Sequence, residues 1–439
     1  MPSRSTTSGS TAVRIFRIDN WDGAPGGAQD YIREVTAELA ARGHVTRIIQ
    51  VTDGAAAIPP PDGLKVPTAR GRSARFRADV FVDRTYQGLL EREIRDFAPD
   101  LISLHHFDAR FATVARVLAA QRVPIVMANH DAELVCPIST LVQPGNVVCD
   151  GGVRVRCLFT GCRVGWGGPY NLLQTRSFDM WLRDRVRAYL CPSRSLTDYL
   201  DANGYRPAVH LPSFARIPDT VRVAALPWPA STEPPTIGYL GRLEWYKGVH
   251  DLLRAVALVR RAVPDVRLDI AGTGPSRAEL ESLAGSLGIG DRVTFRGQVS
   301  GPAKDDWFRA IHVVAVPSNM WENFPLVALE ALTRGRPVVA TRIGGIPDIV
   351  DDGTSGHLVP IGDPPAMADR LSALLQDPDG ARRMGQAGRT RTLARFTPET
   401  HVARLLAVYD AVLAGRALPS RSAAADLVPT GPVDRSGTR

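Results

Sequence analysis

At 439 residues, the chain is long enough for two or three domains of ordinary size. Its hydrophobic content of 44% is that of a globular protein, and no run of about 18 apolar residues predicts a membrane span. A net charge of +8 spread over this length does not indicate a nucleic-acid partner. The N-terminal stretch MPSRSTTSGS has no hydrophobic signal core, so we expect a cytoplasmic protein with at most peripheral membrane contact.

The first half of the sequence alternates strand-like and helix-like runs. Residues 1–11 are rich in Ser, Thr and Gly and are expected to form a disordered tail. VRIFRID at 13–19 predicts a buried strand, and a glycine loop with an amphipathic helix follows as far as Gly43. Further short strands are predicted at VTRIIQV, DLISLHH, VPIVMANH and RAYLCPS. This alternation is typical of a parallel sheet covered by helices, and we assign residues 12–215 to a first domain.

The same alternation restarts after a proline-dense segment, 216–235, which we interpret as a linker. Strands are predicted at TIGYLGRL, VRLDIAGTG, RVTFRGQV, HVVAVPS, RPVVATR and GHLVP, so residues 236–397 form a second α/β domain. A last helix, 398–415, is expected to cross back onto the first domain. Residues 416–439 are expected to form a second disordered tail.

Four arginines crowd the segment ARGRSARFR at 69–77. The plain interpretation is a solvated loop. The alternative is a surface that attracts an anionic acceptor or an anionic membrane, because clustered arginines favour both.

Four of the five cysteines, Cys136, Cys149, Cys157 and Cys162, lie in a glycine-rich insertion at 132–168 with little predicted structure. Clustered cysteines in a cytosolic chain more often bind metal than form disulfides, so a structural zinc site is one hypothesis. Free thiols and disulfides are the alternatives, because the spacing lacks the close CxxC pairs of most zinc modules. The remaining cysteine, Cys191, is expected to be a buried core thiol.

Strand-to-helix loops of the second domain carry glycines and cations. Gly241 ends a predicted strand and lets a ligand approach the backbone, while Arg242 and Lys247 follow before a helix N-terminus. Two cations at this spacing suit a diphosphate; the alternative is an ordinary surface loop. Gly272 with Gly274 and Gly344 with Gly345 follow predicted strands, and Gly353 with Gly356 form a tight turn just downstream. Each pair alone is weak evidence, and together they place permissive loops along one sheet edge.

The stretch PSNMWENFPLVALEALTRGRPVVA, at 317–340, carries the strongest signal. Glu322 lies in a turn-prone segment and Glu330 on a helix-forming run, so the two are separated by roughly 12 Å or less. Two carboxylates at this separation suit the two ends of an extended ligand such as a nucleotide sugar. The segment follows a predicted strand, and α/β sheets bind ligands at the carboxyl ends of their strands.

These segments together resemble the retaining, nucleotide-sugar-dependent glycosyltransferases of family 4, which have the GT-B fold. The matching pieces are GGA at 26–28, the pair HD at 130–131, GRLEWYKG from Gly241, the PSNMWENFPLVALEA block, GGIPDIV and GTSG. The resemblance covers residues 13–415. It implies two Rossmann-like domains that face each other across a cleft, with a C-terminal helix crossing back.

The resemblance implies a role for each matching residue. Glu330 would bind the ribose of a UDP- or GDP-sugar, and Glu322 would lie beside the donor sugar. Arg242 and Lys247 would neutralise the leaving diphosphate without a catalytic metal. The donor loop would also include Gly241, Asn323, Phe324, Pro325 and Leu326, with the Asn323 and Phe324 N–H groups facing the sugar hydroxyls or β-phosphate. Gly26 and Gly27 would approach the diphosphate from the first domain.

His130 would face the reacting centre from the first domain. Its alternatives are a strand-end histidine satisfied by backbone and a zinc ligand, and His105 and His106 have weaker claims to a site role. The insertion would shape the acceptor site, so the acceptor is either a small molecule or a glycan.

We expect a hexosyl transfer by front-face attack, because a retaining double displacement needs paired carboxylates about 5 Å apart and the two glutamates are spaced for binding. A nucleotide-sugar epimerase and a non-catalytic nucleotide-sugar-binding protein are the two other hypotheses. Either would use the same cleft.

Overall fold

A computed structural model shows two parallel sheets, each covered by helices on both faces. It describes residues 12–19, 27–52, 63–67, 77–107, 110–136, 141–143, 147–149, 151–152, 157, 167–214, 221 and 224–418. The expected α/β fold with two Rossmann-like sheets is confirmed.

The strands are short apolar runs whose side chains are mostly buried. In the first sheet they are β1 (Arg14–Asp19), β2 (Val45–Thr52), β3 (Gly63–Pro67), β4 (Leu101–His106), β5 (Ile125–Ala128), β8 (Val186–Cys191) and β9 (Ala208–His210). In the second sheet they are β10 (Thr236–Leu240), β11 (Arg267–Ala271), β12 (Val293–Gly297), β13 (Val313–Val316), β14 (Val338–Thr341) and β15 (Gly356–Val359).

The order of the strands differs from their order in the chain. The first sheet runs β3-β2-β1-β4-β5-β8-β9 and the second runs β12-β11-β10-β13-β14-β15. Every pairing in both sheets is parallel. The carboxyl ends of all strands in a sheet therefore lie at one edge.

Three features of the first domain were not predicted. Two are the edge strands β3 and β9: β3 has Lys65 and Pro67 in place of a continuous apolar run, and β9 has only three residues. The third lies within the cysteine-rich segment, where β6 (Val142–Gln143) and β7 (Val147–Val148) form a small antiparallel pair.

Helices connect the strands of both sheets. Those with bounds in the described ranges are α1 (Gly27–Ala41), α2 (Arg84–Phe97), α3 (Phe111–Ala119), α4 (Gly167–Trp181), α5 (Arg194–Ala202), α6 (Val249–Ala262), α7 (Arg277–Ser286), α8 (Pro302–Arg309), α9 (Leu326–Thr333), α10 (Ile346–Ile349), α11 (Pro364–Gln376), α12 (Pro378–Arg395) and α13 (Pro398–Leu413). Two short 3-10 turns, Trp245–Lys247 and Gly290–Arg292, precede α6 and β12. None of the helices in these ranges combines the length and apolar character needed to cross a bilayer.

Helix α13 returns to the first domain after the chain has completed the second. Thr397 caps it by accepting a hydrogen bond from the Thr400 N–H at 3.2 Å, and Pro398 occupies its first turn, where a missing N–H costs nothing. Its buried side chains recur every three or four residues, as an amphipathic helix requires. Val402, Leu405 and Tyr409 join the core on one face of the first sheet, so the expected crossover is confirmed.

Several sequence predictions lie outside the described residues. These are the first tail at 1–11, most of the arginine-rich segment, residues 216–220 and 222–223 of the linker, and residues 419–439 of the second tail.

Substituting Leu405 should loosen the first domain although Leu405 follows the second domain in sequence. The side chain is 1% exposed within the first-domain core. Leu405→Ala is expected to cost about 2–5 kcal/mol of unfolding free energy through lost burial and an unfilled cavity. Hydrogen exchange followed by mass spectrometry should show faster exchange in β4 and β5.

The matched control is Leu371→Ala in α11, which is similarly buried but belongs to the second-domain core. Its faster exchange should appear in β10 and β13. Faster exchange confined to the second domain in Leu405→Ala would contradict the packing described for α13.

Candidate active site

The loop at 317–325 connects β13 to α9 and carries Glu322. The carboxylate Oε1 of Glu322 accepts hydrogen bonds from Lys247 Nζ at 2.6 Å and from Ser318 Oγ at 2.6 Å. Lys247 ends the 3-10 turn after β10, so this ion pair joins the loops of two adjacent strands. The side chains of Lys247 and Glu322 are 24% and 13% exposed, which leaves the pair within reach of a ligand.

Arg242 lies in the same loop as Lys247, and hydrogen bonds fix both its side chain and its backbone. Its guanidinium donates to the Tyr246 hydroxyl, and its carbonyl accepts from Tyr239 Oη at 2.8 Å. The structure therefore brings Arg242, Lys247 and Glu322 to one edge of the second sheet, as the sequence predicted for their loops.

Two of the predicted glycine positions allow close contact between backbones at this edge. A Cβ added at Gly272 would lie 1.8 Å from the carbonyl oxygen of Gly241. Gly344 has φ of +57°, and a Cβ there would lie 2.1 Å from the Glu322 carbonyl oxygen. That oxygen also accepts a hydrogen bond from the Gly345 N–H at 2.7 Å. The glycine turn thus supports the backbone of Glu322 directly.

Glu330 does not share the cations of Glu322. It lies on α9, and both of its carboxylate oxygens accept hydrogen bonds from Lys304 Nζ of α8, at 2.9 and 3.1 Å. Sequence reasoning assigned Arg242 and Lys247 to the leaving diphosphate and missed Lys304. No local pattern marks this pair, because 26 residues separate its members.

The side chain of Asn323 joins the donor loop to the first domain. Its Nδ2 donates to the carbonyl of His130 at 2.8 Å, and its Oδ1 accepts from Ser193 Oγ at 3.1 Å. Beside it, Trp321 Nε1 donates to Ser195 Oγ at 2.8 Å. The sequence predicted a role for the Asn323 backbone and did not reveal this contact between domains.

A buried chain of polar groups defines which nitrogen of His130 carries a proton. Arg17 Nε can only donate, and it lies 3.2 Å from His105 Nε2, which must therefore accept. The His105 proton is then on Nδ1, which lies 3.0 Å from His130 Nε2. His130 Nε2 consequently accepts, and a neutral His130 holds its proton on Nδ1.

The surroundings keep His130 neutral. Burial, followed by the influence of His106, lowers its pKa well below the usual histidine range. Beneath it, His106 Nδ1 lies 2.6 Å from Asp19 Oδ1. Burial alone would raise the pKa of Asp19, but His106 and the Gln50 side chain hold it below its usual range.

A cavity of about 170 Å³ lies between the two domains at this point. Residues from α1, from the carboxyl edge of the first sheet, from α13 and from the donor loop line it, including Tyr31, His130, Ser213, Phe324 and His401. Tyr31 Oη and His401 Nε2 are 2.8 Å apart across its wall. The cavity thus contacts the first-domain histidine and the donor loop, and it has room for a small polar group.

The structure does not bring the other predicted site residues together with the donor loop, or it does not describe them. Gly26 and Cys162 fall outside, and Gly27 is the first residue of α1. No disulfide joins the described cysteines, and no group of three or more potential metal ligands comes together within the ranges given above. The predicted zinc site therefore stays a prediction, whereas Cys191 is buried as expected.

The chain contains one Asp-x-Asp spacing, Asp377 and Asp379, of the kind that can bind a metal–diphosphate. Here Asp377 Oδ1 caps α12 by accepting from the Gly380 N–H at 2.9 Å. This capping hydrogen bond gives Asp377 a structural role that needs no metal.

Two family models match the chain one after the other. Residues 25–213 match "Glycosyltransferase Family 4" and residues 227–391 match "Glycosyl transferases group 1". The chain belongs to the group 1 glycosyltransferases. The expected glycosyltransferase family is confirmed, and the two models cover the first and second halves of this glycosyltransferase in turn.

Two bacterial glycosyltransferases are similar to part of this chain. An alpha-D-kanosaminyltransferase of Streptomyces kanamyceticus is 34% identical over 40% of the chain and 45% of the relative. A D-inositol 3-phosphate glycosyltransferase of Segniliparus rotundus is 39% identical over 42% of the chain and 41% of the relative. The matched part is less than half the length of either relative.

Solved structures share the fold over nearly the whole glycosyltransferase. Sucrose-phosphate synthase from Thermosynechococcus elongatus superposes with a TM-score of 0.69 at 21% identity, covering 92% of this chain and all of that one. An Anabaena protein, HepE, in complex with UDP and glucose has a TM-score of 0.66 at 18% identity, covering 91% of this chain and all of that one. The GT-B fold follows from these similarities.

Gly344 provides a test of how the Glu322 loop is supported. In Gly344→Ala, both the positive φ and the clash with the Glu322 carbonyl destabilise the turn. Gly353→Ala is the control, because Gly353 has φ of +80° but no atom within 4 Å of an added Cβ. Gly353→Ala should cost about 1–2 kcal/mol of unfolding free energy in denaturant titrations, and Gly344→Ala clearly more. Equal costs would contradict the close contact.

Buried histidines should make the glycosyltransferase sensitive to acid. Burial lowers the pKa of His210 and His401 to about 4, whereas an unfolded histidine titrates near 6.5. The unfolded state therefore binds more protons between these values. The free energy of unfolding should fall as pH drops from about 6.5 towards 4, by up to about 1.4 kcal/mol per pH unit for each histidine.

The measurement is the unfolding free energy in urea at several pH values for the wild type and His401→Gln. The variant should show a shallower dependence by about one proton, whatever its stability at pH 7. Identical slopes would show that His401 does not contribute.

Proposed function

We propose that the chain is a cytoplasmic retaining hexosyltransferase that moves a sugar from a nucleoside-diphosphate sugar to the hydroxyl of a small-molecule or glycan acceptor. The observation that carries the proposal is the Lys247–Glu322 pair at the edge of the second sheet, joined through Asn323 to His130 of the first domain. A cation for a diphosphate, a carboxylate for a sugar and a first-domain histidine thus adjoin one cleft.

The donor would lie along the carboxyl edge of the second sheet. Lys247 and Arg242 supply positive charge for the diphosphate, and Glu322 accepts hydrogen bonds from hydroxyls of the donor sugar. Glu330 holds the ribose. The fold-level similarity to an Anabaena protein that binds UDP and glucose supports a nucleotide-sugar donor.

The chemistry proposed is substitution on one face of the sugar. The bond between the anomeric carbon and the diphosphate oxygen breaks, and the acceptor oxygen bonds to the same carbon from the same side. The acceptor proton passes to an oxygen of the leaving β-phosphate, and the nucleoside diphosphate departs. Arg242 and Lys247 stabilise the developing charge, so the residues themselves supply the electrostatic role that a metal has elsewhere.

His130 would position the reacting groups. As a neutral imidazole it can exchange a hydrogen bond with a sugar hydroxyl while adding no charge beside the anomeric carbon. The adjoining cavity of about 170 Å³ would receive the reacting part of the acceptor. The name of the D-inositol 3-phosphate glycosyltransferase relative supports a polar acceptor. A zinc ion bound by Cys136, Cys149, Cys157 and Cys162 would stiffen the nearby insertion.

Incubation of the protein with a panel of UDP- and GDP-sugars tests the reaction class. Slow release of free nucleoside diphosphate supports transfer, interconversion of the sugar supports an epimerase, and binding without turnover supports a non-catalytic protein. With an acceptor in hand, the anomeric configuration of the product tests retention. A glycosyl-enzyme adduct detected by mass spectrometry would refute front-face attack.

Removing either donor-site charge should weaken nucleotide binding. Lys247→Ala removes the cation for the diphosphate, and Glu330→Ala removes the acceptor for the ribose hydroxyls. A hydrogen bond to a charged group contributes about 1.5–3 kcal/mol, so each variant should lose about 10- to 150-fold in affinity for the bound nucleotide by calorimetry.

Arg309→Ala is the control for these two variants. Arg309 forms an exposed ion pair with Asp306 on α8, and its loss should leave nucleotide affinity unchanged. Unchanged affinity in both Lys247→Ala and Glu330→Ala would refute the proposed donor site.

A further inference from the structure

Lysine is rare in this chain, and its few positions are informative. Lys and Arg together number 53, and only Lys65, Lys247 and Lys304 are lysines. Two of these three contact the two glutamates of the 317–340 segment: Lys247 pairs with Glu322 and Lys304 with Glu330. In an arginine-rich sequence, a lysine at each glutamate indicates that a compact ammonium is needed there.

Lys304 contacts Glu330 symmetrically. Its Nζ lies 2.9 Å from Oε1 and 3.1 Å from Oε2. The Lys304 and Glu330 side chains are 25% and 18% exposed, so the pair is largely removed from water but keeps one open side.

Helix α8 is fixed in place around Lys304. On one side, Trp307 Nε1 donates to Asp269 Oδ1 at 3.0 Å, which attaches the helix to β11. On the other, Asp305 accepts from Arg334 Nε at 2.8 Å, just beyond α9. Arg334 also donates to the Glu330 carbonyl at 3.1 Å. Both ends of the Lys304–Glu330 contact therefore start from anchored backbone.

This geometry suits a carboxylate that must accept from two further donors. An ionised carboxylate offers about four lone-pair sites on its two oxygens. A single ammonium between the oxygens engages one site on each and leaves one on each. An arginine would instead bind the carboxylate through two parallel N–H···O bonds, which fix the relative orientation of the two planar groups. The two lone-pair sites that remain, one on each oxygen of the Glu330 carboxylate, match the two adjacent hydroxyls of a ribose.

We propose that Lys304 is a positioning residue for the donor ribose, acting through Glu330. It holds the Glu330 carboxylate in the orientation that accepts from both ribose hydroxyls, and it thereby selects ribonucleotides. This inference rests on the proposed function, in which Glu330 binds the ribose. Lys304 needs no contact with the nucleotide itself.

The test compares ribose with dideoxyribose on the same protein. UDP and GDP are titrated into the wild type by calorimetry, and the one that binds is titrated again as its 2′,3′-dideoxy form. Removing both hydroxyls should weaken binding to the wild type by about 10- to 100-fold, given the strength of hydrogen bonds to a charged group.

In Lys304→Met, the ribonucleotide should bind about tenfold more weakly, and the dideoxy penalty should shrink at least about threefold. In a Glu330→Gln background, adding Lys304→Met should cost less than about twofold, because the lysine acts through the carboxylate. Comparing two nucleotides on one variant cancels any general effect of the substitution on folding. Arg309→Met, on the same helix with an exposed partner in Asp306, should keep both the wild-type affinity and the wild-type penalty.

The possible outcomes distinguish the role of Glu330 from the role of Lys304. A wild type without a dideoxy penalty would refute the ribose role of Glu330 and with it that part of the proposed function. A wild-type penalty that persists unchanged in Lys304→Met would refute the role of Lys304 alone. Full additivity of Lys304→Met with Glu330→Gln would also overturn it.

Discussion

The hydrogen bonds of the Asn323 side chain hold the candidate site together. They reach the carbonyl of His130 and the hydroxyl of Ser193, both at the carboxyl edge of the first sheet. Glu322 directly precedes Asn323, so the same loop carries the donor-site carboxylate and the contact between domains. Any rotation of one domain against the other must break these bonds or carry Glu322 and His130 together. The hydrogen bond from Trp321 to Ser195 joins the same loop to the first domain, so the spacing of the proposed reacting groups depends on this one loop.

Charge is balanced locally around this loop. Each glutamate of the motif has its own lysine, and the first-domain histidine beside the cavity is neutral. In the proposed function, an arriving diphosphate shares the Lys247 ammonium with Glu322. Donor binding and the position of the Glu322 carboxylate are therefore linked, because both depend on the same three N–H donors.

Local patterns in the sequence were sufficient for much of the fold. Short apolar runs between amphipathic helices predicted the parallel sheets, and Gly344 marked a turn that needs positive φ and close backbone contact. The edge strands β3 and β9 were missed because β3 lacks a continuous apolar run and β9 is three residues long.

The side-chain contacts of the site were harder to predict. Lys304–Glu330 and Asn323–His130 join residues far apart in sequence, and their geometry arises only when helices and domains pack. The relay from Arg17 through His105 to His130 likewise depends on three separate elements meeting in a buried space.

The return of α13 to the first domain has a consequence for biosynthesis. Ribosomes deliver a chain from its N-terminus, so the first sheet emerges well before residues 398–413 are made. Until then, the surface that Val402, Leu405 and Tyr409 will cover is open to water and to other nascent chains. The second domain can finish its core earlier, and the domain that is translated first completes its folding last. Chaperone protection during translation would matter most for that unfinished face.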